Sequence, residues 1–255
     1  MKPAFRNRPH AYVKLWKLHG GQEQAGRMIA LAKERNEPWL SRYGNTLSSE
    51  FAIPKLLETL EKDPEAHHTM DHFVDAVDWI VWQLTRNYVR SAGATGYKAL
   101  FQDGQFPSTT DYFKGLDPDF ENVVEEKLAA PVGQLGDKAG ELSVEAAYWT
   151  GLKAGIPVSV GNIDAHVTAP ACQAVENGQL TAILGTSSVY VVSGAELVEV
   201  PGMFGVVDGG LVKGSWGEHG LVAIDWDNGN RSILVDSNLS GVIIGQTLVT
   251  TAEDQ

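Results

Sequence analysis

The sequence has little of what marks secreted, metal-binding or membrane-spanning proteins. It contains one cysteine, Cys172, which excludes an internal disulfide and any metal site built from several cysteines. No apolar run approaches the roughly 20 residues that cross a bilayer. The first residues are basic, but no apolar segment follows them as it would in a secretory signal. We therefore expect a cytoplasmic protein that has no membrane partner.

Positive charge is also scarce, since 20 lysines and arginines stand against 32 aspartates and glutamates. The formal net charge of −12 argues against a surface that binds the phosphate backbone of nucleic acids or anionic lipid. Hydrophobic residues make up 43% of the 255 residues, which is ordinary for a globular chain and enough for one large domain or two small ones. The composition is compatible with a small-molecule substrate and leaves a homo-oligomer open.

The hydrophobic periodicity changes along the chain. Up to about residue 155, apolar residues recur at spacings of three and four, which is typical of helices. After about residue 176, short runs rich in Val and Ile alternate with turn residues, which is typical of strands. We expect a domain boundary near 171–177, which gives two units, residues 1–172 and 173–255. The predicted helices are 13–35, bent or broken at Gly20-Gly21, then 51–60, 73–84 with Asp71 as its cap, 111–116 and 143–153. The predicted strands after the boundary are 181–184, 189–192, 203–207, 221–224 and 233–235.

Two apolar runs end in residues that suit phosphate chemistry. The run at 156–160 leads to a carboxylate, Asp164, and the run at 180–184 leads to the turn Gly185–Ser188. Runs of this kind predict strands that are buried on both faces. The N–H groups and hydroxyls of a glycine turn can bind phosphate oxygens, and a carboxylate can take the proton of an attacking hydroxyl group. Together they favour phosphoryl transfer to a hydroxyl group.

Each of these residues has a simpler interpretation, which the residues alone leave open. Asp164 would also serve as the N-cap of a following helix. The turn at 185–188 is ordinary turn chemistry and lacks the spacing of a Walker loop. Lys98 lies among small residues, from which its ammonium could reach a polar substrate in a cleft or simply face solvent. The histidines of the segment 67–72 have no partners at a known ligand spacing, so no metal site is predicted.

Short motifs along the chain resemble those of one kinase family. The most specific is Gly161-Asn-Ile-Asp-Ala-His166. The motifs follow family order over nearly the whole chain: Tyr12–Lys17, Arg42–Gly44, Ser48–Glu50, Asp78–Ile80, Ala94–Ala99, Val160–His166, Ile183–Ser187, Gly202–Val207 and Asp225–Ser232. By these motifs the chain is similar to the FGGY carbohydrate kinases, and within them to the kinases of L-ribulose.

The resemblance implies a fold, a reaction and a set of site residues. The fold is α/β, with two ribonuclease H-like (actin-like ATPase) domains flanking a cleft, both incomplete in this chain. The reaction uses ATP and Mg²⁺ to phosphorylate L-ribulose in arabinose catabolism. By resemblance, Asp164 is the catalytic base and contacts the sugar, and Lys98 binds the sugar. The phosphates of ATP would be held by Gly185, Thr186 and Ser187. The alternatives are another sugar kinase of the family, such as a xylulokinase, or a non-catalytic sugar-binding fragment.

Three parts of the family pattern are missing from this sequence. They are the N-terminal strand with its Asp-x-Gly-Thr phosphate loop, a Tyr-Glu-Ala-Gly-Gln segment with the long helical insertion behind it, and the C-terminal glycines that bind adenosine. The second gap falls at Gly217, which is followed directly by a segment that resembles the far side of the insertion. Glu218 belongs to that later segment and is given no role. We expect either the joined parts of a longer protein or a shortened chain that is inactive alone.

Overall fold

The computed structural model describes residues 3–102, 104–107, 110–183, 189–192, 222–224 and 242–244. Four helices precede the first strand, and helices and short strands are mixed after it, which is consistent with the α/β class that the sequence predicts. The helices are α1 (Gln22–Arg35), α2 (Ala52–Lys62), α3 (Pro64–Thr69), α4 (Ala76–Thr85), α5 (Ala92–Ala99), α6 (Thr110–Leu116), α7 (Val144–Thr150) and α8 (Asp164–Ala171). The strands are β1 (Arg90–Ser91), β2 (Val132–Gly133), β3 (Lys138–Glu141), β4 (Pro157–Ser159), β5 (Leu180–Ile183), β6 (Val189–Val192), β7 (Val222–Ile224) and β8 (Val242–Ile244).

The strands of the described ranges pair in twos. Strand β1 runs parallel to β2, whereas β3 with β4, β5 with β6, and β7 with β8 are antiparallel. The helices predicted at 51–60, 111–116 and 143–153 are confirmed as α2, α6 and α7, and the strands predicted at 181–184, 189–192 and 221–224 are confirmed as β5, β6 and β7. The strands predicted at 203–207 and 233–235 lie outside the described residues.

Helix α2 lies at the centre of the main core. Every residue from Ala52 to Leu60 is buried, as expected for a helix that is apolar on nearly all sides. Lys55 and Glu58 are the two charged exceptions in this stretch, and a buried charge is costly unless polar partners compensate it. The apolar side chains packed around α2 include Met28, Trp39, Leu100, Tyr112, Phe113 and Phe120.

Helix α1 begins at Gln22, so the predicted break at Gly20-Gly21 is confirmed, whereas the helix predicted for 13–19 is wrong. The chain passes closely over α2 just before α1 begins. A Cβ added to Gly20 would lie 2.3 Å from Oε1 of Glu58, the end of a flexible side chain, and one added to Gly21 would lie 3.1 Å from the carbonyl oxygen of Pro54. A side chain at either position would force its neighbour to shift, and glycine avoids this.

Helix α4 follows Asp75, so the prediction that Asp71 caps this helix is wrong. The stretch before the helix is bound elsewhere, since the N–H group of Phe73 donates to the carbonyl oxygen of Lys127 at 2.9 Å. Asp75 takes the N-cap position, but its side chain makes no cap hydrogen bond. Its carboxylate instead accepts from the guanidinium of Arg90 at 3.2 Å, and this ion pair fixes where the helix begins.

Strand β4 is buried on one face only, so the prediction of two buried faces for the run at 156–160 is wrong. Pro157 and Ser159 are exposed, whereas Val158 packs against a small core cluster with Val81 of α4. The reason is that β4 has an antiparallel partner and a single helix layer, which leaves its other face open. Strand β5 likewise alternates between exposed and more buried residues instead of being buried throughout.

Helix α5 is fixed at both ends. At its start, the hydroxyl of Ser91 accepts from the N–H group of Ala94 at 3.2 Å, and Oδ1 of Asp78 accepts from the N–H group of Ser91 at 2.9 Å. At its end, Leu100 is buried and has a φ of +64°, a left-handed conformation that leucine rarely adopts. These constraints hold the last turn of α5, which carries Lys98, in one position.

Candidate active site

Asp164 is the first residue of α8, and it is exposed. Ile163 occupies the N-cap position, so the interpretation of Asp164 as the cap is wrong. The carboxylate of Asp164 accepts no hydrogen bond from the described residues, while its backbone carbonyl accepts from the hydroxyl of Thr168 at 3.0 Å. An exposed carboxylate that accepts no hydrogen bond within the described ranges is available to bind a substrate hydroxyl group.

The turn that leads to Asp164 is packed tightly against two helices. A Cβ added to Gly161 would lie 2.3 Å from Cγ2 of Val77 in α4. A Cβ added to Gly93 in α5 would lie 2.4 Å from Oδ1 of Asn162. The same Oδ1 accepts from the N–H group of Ile163 at 2.8 Å, which closes the turn. The start of α8 is therefore held by close backbone contacts that only glycine permits.

Helix α5 brings Lys98 next to the start of α8. The ring of Tyr97 meets the ring of His166 edge to face, with 5.2 Å between centroids, and the ammonium of Lys98 lies 5.1 Å from the centre of the Tyr97 ring. Burial lowers the pKa of His166, the charge of Lys98 lowers it further, and the charge of Asp164 opposes them. The two residues predicted as base and sugar ligand, Asp164 and Lys98, thus lie close to one histidine.

Two further charged groups that the sequence did not predict for the site interact electrostatically with Lys98. Burial, followed by the charge of Lys98, lowers the pKa of Lys55 to about 8. Burial raises the pKa of Asp75, although the charges of Arg90, Lys98 and Lys55 oppose the rise. The signal for Lys55 in the sequence was a lysine inside the largely apolar run at 51–60. That pattern is indistinguishable from a helix with a solvent-facing polar stripe.

The predicted phosphate turn connects two strands next to α8. Strands β5 and β6 form an antiparallel pair in which Ile183 lies opposite Val189, and α8 contacts both strands. The connection between them includes Gly185, Thr186 and Ser187, which lie outside the described residues. The helix that begins with Asp164 and the hairpin that bears the predicted phosphate ligands are therefore neighbours.

A buried acid supports the helix that carries Lys98. Asp78 in α4 is 1% exposed, and its Oδ1 holds the backbone N–H group of Ser91 at the start of α5. Burial raises the pKa of Asp78 to about 6, and the nearby charge of Asp75 adds to the rise. The hydrogen bond from Ser91 and the charge of Arg90 act in the opposite direction. The folded protein therefore retains a proton on Asp78 at pH values where the unfolded chain has lost it.

This raised pKa predicts a defined pH dependence of stability. Between the ordinary pKa of 3.8 and about 6, the folded state binds more protons than the unfolded state, so the contribution of Asp78 falls as pH rises. Asp78→Asn keeps the acceptor oxygen and removes the titration. Its stability relative to the parent should rise by up to about 3 kcal/mol from pH 4 to pH 7. Urea unfolding at several pH values measures this, with the exposed Asp71→Asn as the matched control. A difference that does not change with pH would contradict the prediction.

The described histidines do not form a metal site. His67 is buried, its ring meets that of His68 edge to face at 5.5 Å, and burial lowers its pKa to about 4. Across the described ranges, no group of three or more His, Cys, Asp or Glu side chains is arranged to hold a metal ion. The helices of those ranges also include none with the length and apolar character of a membrane span.

The arrangement suits a substrate that carries several hydroxyl groups. The exposed carboxylate of Asp164 can accept a hydrogen bond or a proton from a hydroxyl, and the ammonium of Lys98 can donate to hydroxyl or carbonyl oxygens. Mg²⁺ is usually held by one or two carboxylates together with substrate phosphates, so a single exposed carboxylate fits a metal that arrives with a nucleotide. Proton removal and phosphate neutralisation can therefore occur at the same place.

Comparisons with known proteins find related kinases that are about twice as long as this chain. No family model matches the chain. A ribulokinase from Mycolicibacterium smegmatis is 47% identical over 300 aligned positions, which cover 98% of this chain and 53% of the relative. A ribulokinase from Bacillus licheniformis is 37% identical over 303 positions, which cover 100% of this chain and 55% of the relative. The chain thus spans about half the length of the curated relatives it matches.

The matched region is longer in the relatives than in this chain. The first alignment runs over 300 positions, whereas 98% of 255 residues is about 250, so that relative has about 50 residues within the region that this chain lacks. In fold, the chain is similar to a crystal structure described as a xyloylose kinase from Brucella ovis, with a TM-score of 0.68 and 14% identity. The match covers 94% of this chain and 55% of the other. Identity this low shows a shared fold and no more.

Proposed function

This chain belongs to the FGGY carbohydrate kinase family, whose fold is actin-like, and on that basis we propose that it is part of an ATP-dependent kinase that converts L-ribulose to L-ribulose 5-phosphate. The observation that carries the proposal is the exposed carboxylate of Asp164, which together with the charge of Lys98 acts on the ring of His166, in a chain that is 47% identical to a ribulokinase. The reaction would serve arabinose catabolism in the cytoplasm, where ATP is available.

The proposed step is a direct displacement at phosphorus. The terminal hydroxyl oxygen of the pentulose forms a bond to the γ-phosphorus while the bond from that phosphorus to the β,γ-bridging oxygen breaks, and ADP leaves. Asp164 orients the hydroxyl group, accepts its proton and later releases that proton to solvent. Lys98 donates hydrogen bonds to the sugar and holds it in register with Asp164. The exposure of Asp164 supports this role, because a base must reach the substrate.

The nucleotide is proposed to bind on the β5–β6 side of Asp164. Gly185, Thr186 and Ser187 would donate backbone and hydroxyl hydrogen bonds to its phosphates. Mg²⁺, bound with ATP, would neutralise charge on the phosphates that are transferred. The packing of α8 against both strands of the hairpin supports this assignment. We also propose that residues 1–172 belong to the sugar-binding domain and residues 173–255 to the nucleotide-binding domain.

A substrate panel tests the proposal. The protein, with ATP and Mg²⁺, is offered L-ribulose, D-ribulose, L-xylulose and D-xylulose, and the release of ADP is followed. We expect the highest kcat/KM with L-ribulose. A clear preference for a xylulose would identify a xylulokinase instead. Sugar binding without any release of ADP would identify a non-catalytic sugar-binding fragment.

Lys98→Ala should raise the KM for the sugar by about tenfold or more, because a hydrogen bond to a charged group contributes about 1.5–3 kcal/mol. The KM for ATP should stay within about twofold, since Lys98 is assigned to the sugar alone. Steady-state kinetics with each substrate varied in turn measure both constants. Lys153→Ala, which removes an exposed lysine just after α7, is the control and should change neither. An effect confined to ATP would move Lys98 to the nucleotide side.

A further inference from the structure

Lys55 carries a charge into the centre of the protein. It is 4% exposed and lies in α2 between Pro54 and Leu56, with Glu58 one turn further along the helix. A buried ammonium is retained only where acceptors compensate its lost hydration. Its Nζ donates to the carbonyl oxygen of Leu15 at 2.9 Å and to that of Trp16 at 3.3 Å. The compensating acceptors are thus two backbone carbonyls of a single segment.

That segment, residues 12–19, has no helix or strand of its own, and we call it the clamped segment. Its apolar side chains are largely exposed, with Val13 88% and Leu15 60% accessible to solvent. It cannot be fixed by burial of those side chains, so polar contacts must fix it. Besides Lys55, the contacts to α2 and to the turn that precedes it include Lys14 with Glu58 at 3.8 Å and His19 with the hydroxyl of Ser49 at 3.1 Å. Other polar contacts tie the segment to the residues before it, such as Lys14 with Nδ1 of His10 at 3.0 Å.

The anchor of the clamped segment lies next to the proposed sugar site. The ring of Phe51, the residue directly before α2, meets the ring of Tyr97 in α5 with 5.4 Å between centroids, and the Tyr97 ring meets that of His166 in α8 at 5.2 Å. The last turn of α5, which carries Lys98, therefore lies between the start of α8 and the start of the helix that carries Lys55. The clamped segment is thus a candidate for the wall of the site opposite α8.

We propose that Lys55 is a positioning residue of the sugar site, which holds the clamped segment, through the carbonyls of Leu15 and Trp16, as the wall that borders the bound pentulose opposite Asp164. This inference rests on the proposed function. Lys55 does not touch the sugar; it acts through the backbone that it holds. Removal of its donors frees the segment, and the sugar then binds to a site with one mobile wall.

Three variants test this role. Lys55→Met keeps the length and the apolar stem but has no donor, whereas Lys55→Arg keeps donors and charge. The control is Lys33→Met on α1, where the side chain is exposed and lies outside these contacts. Lys55→Met should raise the KM for the sugar by about tenfold, with the KM for ATP within about twofold and kcat within about threefold. Lys55→Arg should restore most of the affinity for the sugar, and Lys33→Met should leave every constant unchanged.

Amide hydrogen exchange of residues 12–19 directly measures how firmly Lys55 holds the clamped segment. Exchange in this segment should be faster in Lys55→Met than in the parent and in Lys33→Met, while the exchange rates of the rest of the chain stay as in the parent. Faster exchange with an unchanged KM for the sugar would overturn the inference, because the segment would then not border the site. Equal losses in kcat and in both KM values, with a lowered Tm, would assign Lys55 a purely structural role. A parent protein that phosphorylates no sugar would reject the proposed function itself, an outcome distinct from an active parent that is insensitive to Lys55→Met.

Discussion

Asp164→Asn should lower kcat by about 10²- to 10⁴-fold, because general base catalysis contributes factors of this size. The asparagine side chain is isosteric and can still receive a hydrogen bond from the sugar, but it cannot take the proton of the attacking hydroxyl group. Affinity for the sugar should therefore stay within about threefold, since one acceptor oxygen is kept. Single-turnover kinetics with ATP and L-ribulose measure the chemical step, and calorimetry measures sugar binding to the variant.

The matched control for this experiment is Glu176→Gln. Glu176 is an exposed carboxylate that follows α8 by a few residues and has no assigned role in the reaction. Its removal should leave kcat and both KM values as in the parent. If Asp164→Asn retains turnover within tenfold of the parent, another group must accept the proton. The pH profile adds an independent readout, because loss of the base should remove the acidic limb of kcat.

Arg90→Met is expected to have the largest effect on stability. Arg90 is 0% exposed, and its guanidinium donates to the hydroxyls of Thr95 and Tyr88, to the carbonyl of Phe73 and to the carboxylate of Asp75. Methionine fills the space of the stem but leaves these acceptors unpaired. Because the carboxylate of Asp75 is partly accessible to water, we expect a loss near the lower end for broken buried ion pairs, about 3 kcal/mol. Urea unfolding followed by circular dichroism measures the loss.

A double-mutant cycle separates the charge effect from packing. Adding Asp75→Asn to Arg90→Met removes the unpaired negative charge, so the double variant should be more stable than Arg90→Met alone. Arg27→Met, which breaks an exposed ion pair with Glu61, serves as the surface control and should cost at most about 1 kcal/mol. If Arg90→Met costs no more than this control, the guanidinium network does not hold α4 and α5 together.

The sequence predicted elements well where local pattern and packing agree. Helix α2 has a largely apolar run of helical length, and the structure buries every residue of that run from Ala52 to Leu60, so pattern and packing agree. The pair Gly20-Gly21 predicted the break before helix α1, but the sequence did not predict that residues 13–19 lack a helix, because their carbonyls are held by Lys55 of α2, a tertiary contact that no local spacing records. The cap of α4 was misassigned for a similar reason, since the carboxylate of Asp75 is taken by an arginine that lies beyond the helix.

The candidate site likewise contains residues that the sequence suggested and one that only the structure identified. The proposed roles of Asp164 and Lys98 came from the resemblance of the short motifs in which they lie, because the residues alone left simpler interpretations open. Lys55 lies in a motif whose apolar neighbours suggest only a core helix. Its significance depends on the two carbonyls that it meets, and these belong to a segment some 40 residues earlier in the chain. A backbone acceptor has no residue type, so sequence patterns cannot identify such a partner.

Leu100 limits how this protein can be stabilised by design. The left-handed residue after a helix is usually glycine, and substitution to glycine would relieve roughly 1 kcal/mol of backbone strain. Here the side chain is 1% exposed in the main core, so its removal would open a cavity at a cost of about 2–5 kcal/mol. Placing glycine after the end of a helix usually stabilises a protein, but at this position it should lower the free energy of unfolding. Natural variation at residue 100 should exchange leucine for other large apolar residues and avoid glycine. At the end of α5, the side-chain volume that fills the core is thus worth more than relief of backbone strain.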